Sequence, residues 1–111
     1  MLNNATISRP ELNMIFDSVL GIKNDEKKEC FEKVIEPIIV QKDDILDPDG
    51  MYVVLEGSVS LLLNNGEIAI ANPSDYFYEE YLLLEDHNIE LSARAIENTR
   101  LGFFSRKKWI G

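Results

Sequence analysis

The side chains of this chain that could do chemistry are few: one histidine, His87, one cysteine, Cys30, and short acidic runs at Asp43-Asp44, Asp47 to Asp49 and Glu79-Glu80. A single imidazole cannot build a multi-histidine metal centre, and no grouping of His, Cys and carboxylate has ligand spacing, so no metal site is expected. The acidic runs match neither a calcium loop nor a defined acid-base pair, and they read as solvated turns. Cys30 has no base beside it and no second cysteine to pair with, which makes it a structural thiol, expected to behave as a small buried hydrophobe. His87 stands next to Asp86 in a loop-like stretch and reads as exposed. Arg94 sits between Ala93 and Ala95, and strand alternation turns it away from that small-residue face, toward solvent or Glu97. No motif supports a catalytic serine or cysteine, and the expectation is a protein that is not an enzyme.

Composition narrows the classes further. A length of 111 residues with 45% hydrophobic content suits one domain with one core. Twenty acidic residues against eleven Lys plus Arg leave a net charge of -9, a field that repels nucleic-acid phosphates and anionic membranes. Apolar runs such as Tyr81 to Leu84 fall far short of the roughly 20 residues that cross a bilayer. No basic and then apolar leader opens the chain, so the expected location is the cytoplasm, with no membrane insertion and no nucleic-acid partner.

Two amphipathic helices are expected first. One begins near Pro10, carries Leu12, Ile15, Phe16 and Val19 on one face, and stops at Gly21; the other is capped by Asn24, has Asp25 and Glu26 in its first turn, buries Cys30, Phe31, Val34 and Ile35, and ends before Pro37. From Ile38 the pattern changes to short β-rich segments: 38–40, 52–56, 59–63, 67–71, 91–96 and 100–104. Turns fall at Asp47-Pro48-Asp49-Gly50 and Asn64-Asn65-Gly66. That divides the chain into a helical segment, 1–37, and a β-unit, 38–111, within one structural domain. The aromatic group Tyr76, Phe77, Tyr78 and Tyr81 reads partly as core and partly as exposed surface, with Phe77 on the core side.

The run from Met51 to Leu63, with Asn-Asn-Gly-Glu-Ile68 after it, resembles the central hairpin of the cyclic-nucleotide-binding domain family, usually "Tyr-x-Val-Leu-x-Gly-x-Val" and then "Gly-x-Ile". The segment from Asn72 to Leu83 resembles the family's "Gly-Asp-x-Phe-Gly-Glu-x-x-Leu-Leu" phosphate-binding cassette. The stretches Ser92 to Leu101 and Phe104 to Trp109 are similar to the family's strand after the cassette and its continuation. The resemblance, to domains of the cAMP-receptor-protein and protein kinase A regulatory-subunit type, covers roughly residues 38 to 110. It implies a mainly β fold: an eight-stranded antiparallel β-roll, jelly-roll-like and cupin-related, with two short N-terminal helices.

It also implies where a ligand would sit: Phe77, Tyr78, Glu79, Glu80, Leu82, Ile89, Glu90 and Ser92. Relatives that bind cyclic nucleotides hold the phosphate with a cassette Arg and backbone N–H groups, and a Glu takes the ribose hydroxyl. Glu79, with Glu80 beside it, keeps that carboxylate. The cassette Gly has become Tyr78, another turn glycine has become Ser74, and the Arg slot falls at Ile89, followed by Glu90. No Arg or Lys lies between Glu79 and Ala93, and a buried phosphate without a paired cation is very costly. The expectation is a non-catalytic regulatory or interaction domain with weak or absent affinity for cAMP and cGMP and no cofactor. The alternative is a working sensor of a cyclic nucleotide or another small molecule. The helix that closes the site in the family would begin where this chain ends, so a protein partner, a homodimer or a fused output domain outside this chain is expected.

Overall fold

The computed structural model describes residues 6–64, 66–78 and 91–105. Helix α1, Arg9–Met14, starts with a reciprocal cap: the Ser8 hydroxyl accepts from the Glu11 N–H, and Glu11 accepts from the Ser8 N–H at 3.0 Å. The chain then widens into a π-helical turn, Ile15–Leu20, closed by left-handed Gly21, with the Phe16 carbonyl accepting from the N–H groups of Gly21 and Ile22. The expected single helix is thus two segments, and the wider turn lets consecutive Ile15 and Phe16 both be fully buried. Helix α2, Asp25–Glu32, is capped by Asn24, whose side chain accepts from the Glu26 and Lys27 N–H groups.

Eight strands follow among the described residues: β1 Ile35–Val40, β2 Ile45–Leu46, β3 Gly50–Glu56, β4 Val59–Leu63, β5 Gly66–Ala71, β6 Tyr76–Phe77, β7 Leu91–Ala95 and β8 Thr99–Ser105. They form two antiparallel four-stranded sheets, ordered β1-β8-β3-β6 and β2-β7-β4-β5. The fold is the expected mainly β roll. Ile35 opens β1 rather than closing α2, because two turn residues end the helix first. The two-residue strands β2 and β6 carry too little alternation to be read in advance.

Strand β3 has an apolar residue at nearly every position because it is covered on both faces. Tyr52 and Val54 point between the sheets, into a core with Leu46, Val59, Ala71, Phe77, Tyr78, Ala93 and Leu101. Met51, Val53 and Leu55 point the other way, against Ile15, Ile35 and Phe104. Gly102 on β8 permits that second contact, since a Cβ there would stand 3.0 Å from the Ile35 Cδ1. Phe31 of α2 meets Phe104 edge-on at 6.4 Å. Cys30, one position earlier on the helix, therefore turns outward and is exposed, which corrects the expectation of a buried thiol.

Arg100 on β8 ties α1 to the sheet. Its guanidinium forks onto the Glu11 carboxylate at 2.8 and 2.6 Å, donates to the Thr6 carbonyl at 3.1 Å and reaches Glu56 at 3.4 Å. The Arg100 hydrogen bond, outweighing partial burial, holds the Glu11 carboxyl below its ordinary value, and Glu11 in turn raises the guanidinium.

Candidate ligand site

Four elements converge between the sheets at the end of β6. β6 pairs with β3 so that Phe77 stands opposite Tyr52, while β8 brings Phe103 opposite Tyr52 from the other side. The three rings stack, Tyr52 on Phe77 at 5.3 Å and on Phe103 at 4.7 Å. The Tyr52 hydroxyl donates to the Asp47 carbonyl at 2.9 Å, and burial, with Asp49 and Asp47 nearby, pushes the phenol up to about 12. Sequence reasoning does not single out Tyr52; its place two residues before Val54, on the inward side of β3, is the signal that marks it.

Tyr78 comes directly after Phe77 and should point to the opposite side of the strand. It does not, because its φ of 64° is left-handed, and this turns its ring back into the same core. Phe77 is 2% exposed and Tyr78 1%, whereas Tyr76 is 44% exposed. The Tyr78 ring meets Phe77 edge-on at 5.2 Å and Tyr52 at 6.0 Å, and its hydroxyl reaches the Leu91 carbonyl at 3.5 Å. Ser74 is also left-handed, at φ 78°. It is held in a turn in which Ser74 donates to the Val54 carbonyl and Val54 to the Asp75 carbonyl, while Asn72 donates to the Asp75 carboxylate. Both positions where the resemblance places glycine therefore have the backbone that glycine adopts most easily, yet carry side chains.

Of the candidate residues, Phe77 and Tyr78 are brought together in this aromatic core. Ser92 lies half-buried on β7, next to the fully buried Ala93. Arg94 is exposed, as alternation requires, and Glu97 accepts from the Ser58 hydroxyl. Glu79, Glu80, Leu82, Ile89 and Glu90, together with His87 and Tyr81, lie outside the described residues. Among the described residues, no group of three or more His, Cys, Asp or Glu is placed to hold a metal ion, and no helix is long and apolar enough to cross a membrane.

Comparison with known proteins gives one coherent picture. A family profile described as the cyclic nucleotide-binding domain matches residues 36–110. No curated protein matches in sequence. Among solved structures, a cyclic nucleotide-binding-like protein from Brucella abortus aligns with a TM-score of 0.73 and 16% identity, over 91% of this chain and 95% of that one. A cAMP-bound PfPKA-R chain aligns at 0.69 and 15%, over 90% of this chain and 35% of that one. The regulatory subunit of a cAMP-independent protein kinase A from Trypanosoma cruzi, bound to guanosine, aligns at 0.73 and 13%, over 100% of this chain and 44% of that one. This chain thus spans less than half of each kinase regulatory chain. At such identities the likeness shows the shared roll alone.

Proposed function

The chain belongs to the cyclic nucleotide-binding domain family, and we propose that it is a non-catalytic regulatory module of that family that does not hold cAMP or cGMP tightly. The observation that carries this reading is the cassette itself: a full ring at Tyr78, and no Arg or Lys between Glu79 and Ala93. A cyclic phosphate seated there would lose its hydration without gaining a guanidinium from this stretch of sequence, which carries Glu79, Glu80 and Glu90 instead. The residues assigned to the altered cassette are Phe77, Tyr78, Glu79, Glu80, Leu82, Ile89, Glu90 and Ser92. The proposed organisation is an N-terminal helical segment packed on a β-roll that opens with β1 at Ile35, three residues before the boundary expected at 38. The module acts in the cytoplasm on a protein partner, a second copy or a fused output domain.

Isothermal titration of the whole chain with cAMP and cGMP tests the reading. The expected result is no saturable heat; micromolar or tighter binding of either would reject it. A second reading, sensing of an uncharged small molecule, is favoured by the same missing cation. A nucleoside without phosphate asks for no guanidinium, and guanosine is the ligand of one structural relative. Guanosine therefore belongs in the same titration series.

A further inference from the structure

Tyr78 combines three features that ordinary core packing does not need together. Its ring is fully buried, its backbone is left-handed, and it sits beside an aromatic platform, Tyr52 and Phe77, that is stacked without it. A bulky residue rarely adopts this backbone, and it persists only where the surroundings over-determine it. Here the surroundings are flat ring faces and edges on one side and the Leu91 carbonyl on the other, at the reach of a hydroxyl donor. These contacts describe a seat for a planar ring carrying one donor group. The small residue Ala93 on β7 belongs to the same core.

We propose that Tyr78 is an autoinhibitory plug: its ring occupies a seat for a planar, uncharged aromatic group of a small ligand, and the seat opens when Tyr78 turns out about its left-handed backbone. This rests on the family reading above, and it adds a ligand class and a means of occlusion to it. The volume vacated by a tyrosine ring is comparable to the roughly 150 Å³ apolar cavity that admits benzene. One-ring and two-ring aromatics are therefore the fitting class. The affinity seen by a ligand falls by the fraction of molecules whose seat is open, so removing the plug raises it.

Two substitutions suit the backbone and vacate the seat: Tyr78→Gly, since glycine adopts this φ without strain, and Tyr78→Asn, since asparagine tolerates it. Each variant and the unaltered chain are titrated with phenol and with indole, following the backbone amides of Tyr52, Phe77 and Leu91 by NMR. The expected result is at least tenfold tighter binding in a folded variant, and weak but saturable shifts at the same amides in the unaltered chain at millimolar probe. A folded variant with affinity within twofold of the unaltered chain would overturn the proposal. So would an unaltered chain whose amides stay still at the highest probe concentration, whether or not the variants fold. Tight cAMP binding by the unaltered chain, in contrast, would reject the functional reading and leave these titrations to be judged separately.

Discussion

Replacing Tyr78 by alanine removes a fully buried ring from contact with Tyr52 and Phe77 and leaves a methyl group on a left-handed backbone. Loss of a buried aromatic side chain costs about 3–5 kcal/mol in transfer and cavity terms. Glycine at the same site removes the same ring but relieves about 1–2 kcal/mol of left-handed strain, offset by about 0.5–1 kcal/mol of extra unfolded-chain entropy. The glycine variant should therefore be the more stable of the two, by up to about 1.5 kcal/mol. Tyr78→Phe keeps the buried ring and removes the hydroxyl that reaches the Leu91 carbonyl at 3.5 Å, so it should cost less than the alanine change, about 1 kcal/mol. Urea unfolding followed by far-UV circular dichroism, with slopes compared across the series, measures all three. An alanine variant that loses under about 1 kcal/mol, or that is more stable than the glycine variant, would refute this reasoning.

Other positions give independent tests. Gly57 has φ 101°, and a Cβ there would stand 2.5 Å from the Thr99 Oγ1 and 2.9 Å from the Asn98 carbonyl, so Gly57→Ala should cost about 3 kcal/mol or more by the same unfolding assay. Thr99 is fully buried, and its hydroxyl accepts from the Ser58 N–H at 3.2 Å. Thr99→Val orphans that donor and should cost about 1–3 kcal/mol, whereas a neutral result would contradict the assignment. The Glu11 carboxyl is depressed, so the stability it contributes is present above the ordinary carboxylate value of 4.5 and is lost as pH falls through the lower folded value. Glu11→Gln should remove that acid dependence at a cost of about 1–2 kcal/mol near neutral pH, a figure already discounted for partial exposure. Tyr52 is raised to about 12, so its contribution is intact below pH 10 and is lost as pH rises toward that value. Compared by ultraviolet pH titration, the unaltered chain should show a late-ionising phenol that is lost in Tyr52→Phe, and a variant that instead loses absorbance change near pH 10 would contradict it.

The parts of the fold legible in the sequence are those with a strong local signal. Strand β4 occupies the expected 59–63, because Val59 and Leu61 face the core there while the Asn64 turn ends the run. The caps are partly visible: Asn24 and Gly21 act as expected, while Ser8 and Glu11 form a box that sequence reasoning misses, with Pro10 inside its first turn. Helical spacing draws Ile35 into α2, but β8 offers it a full antiparallel ladder, and tertiary pairing outweighs propensity. Cys30 departs from expectation for a related reason. Phe31 and Cys30 cannot both face Phe104, and the larger ring takes the buried side. At the candidate site, the special backbone at Ser74 and Tyr78 is visible only through the family pattern, since neither residue type signals left-handed φ by itself. That Tyr78 turns inward rather than away is not legible, because alternation predicts the opposite until the turn is known.

The most direct test of the altered cassette is a two-dimensional NMR titration of the whole chain with cAMP, reading the amides of Phe77, Tyr78, Leu91, Ser92 and Ala93. A buried tyrosine ring, in a cassette with no Arg or Lys between Glu79 and Ala93, should leave these resonances in place up to about 1 mM nucleotide, a concentration that corresponds to roughly 4 kcal/mol of binding. Saturable shifts of those amides at micromolar cAMP would contradict it.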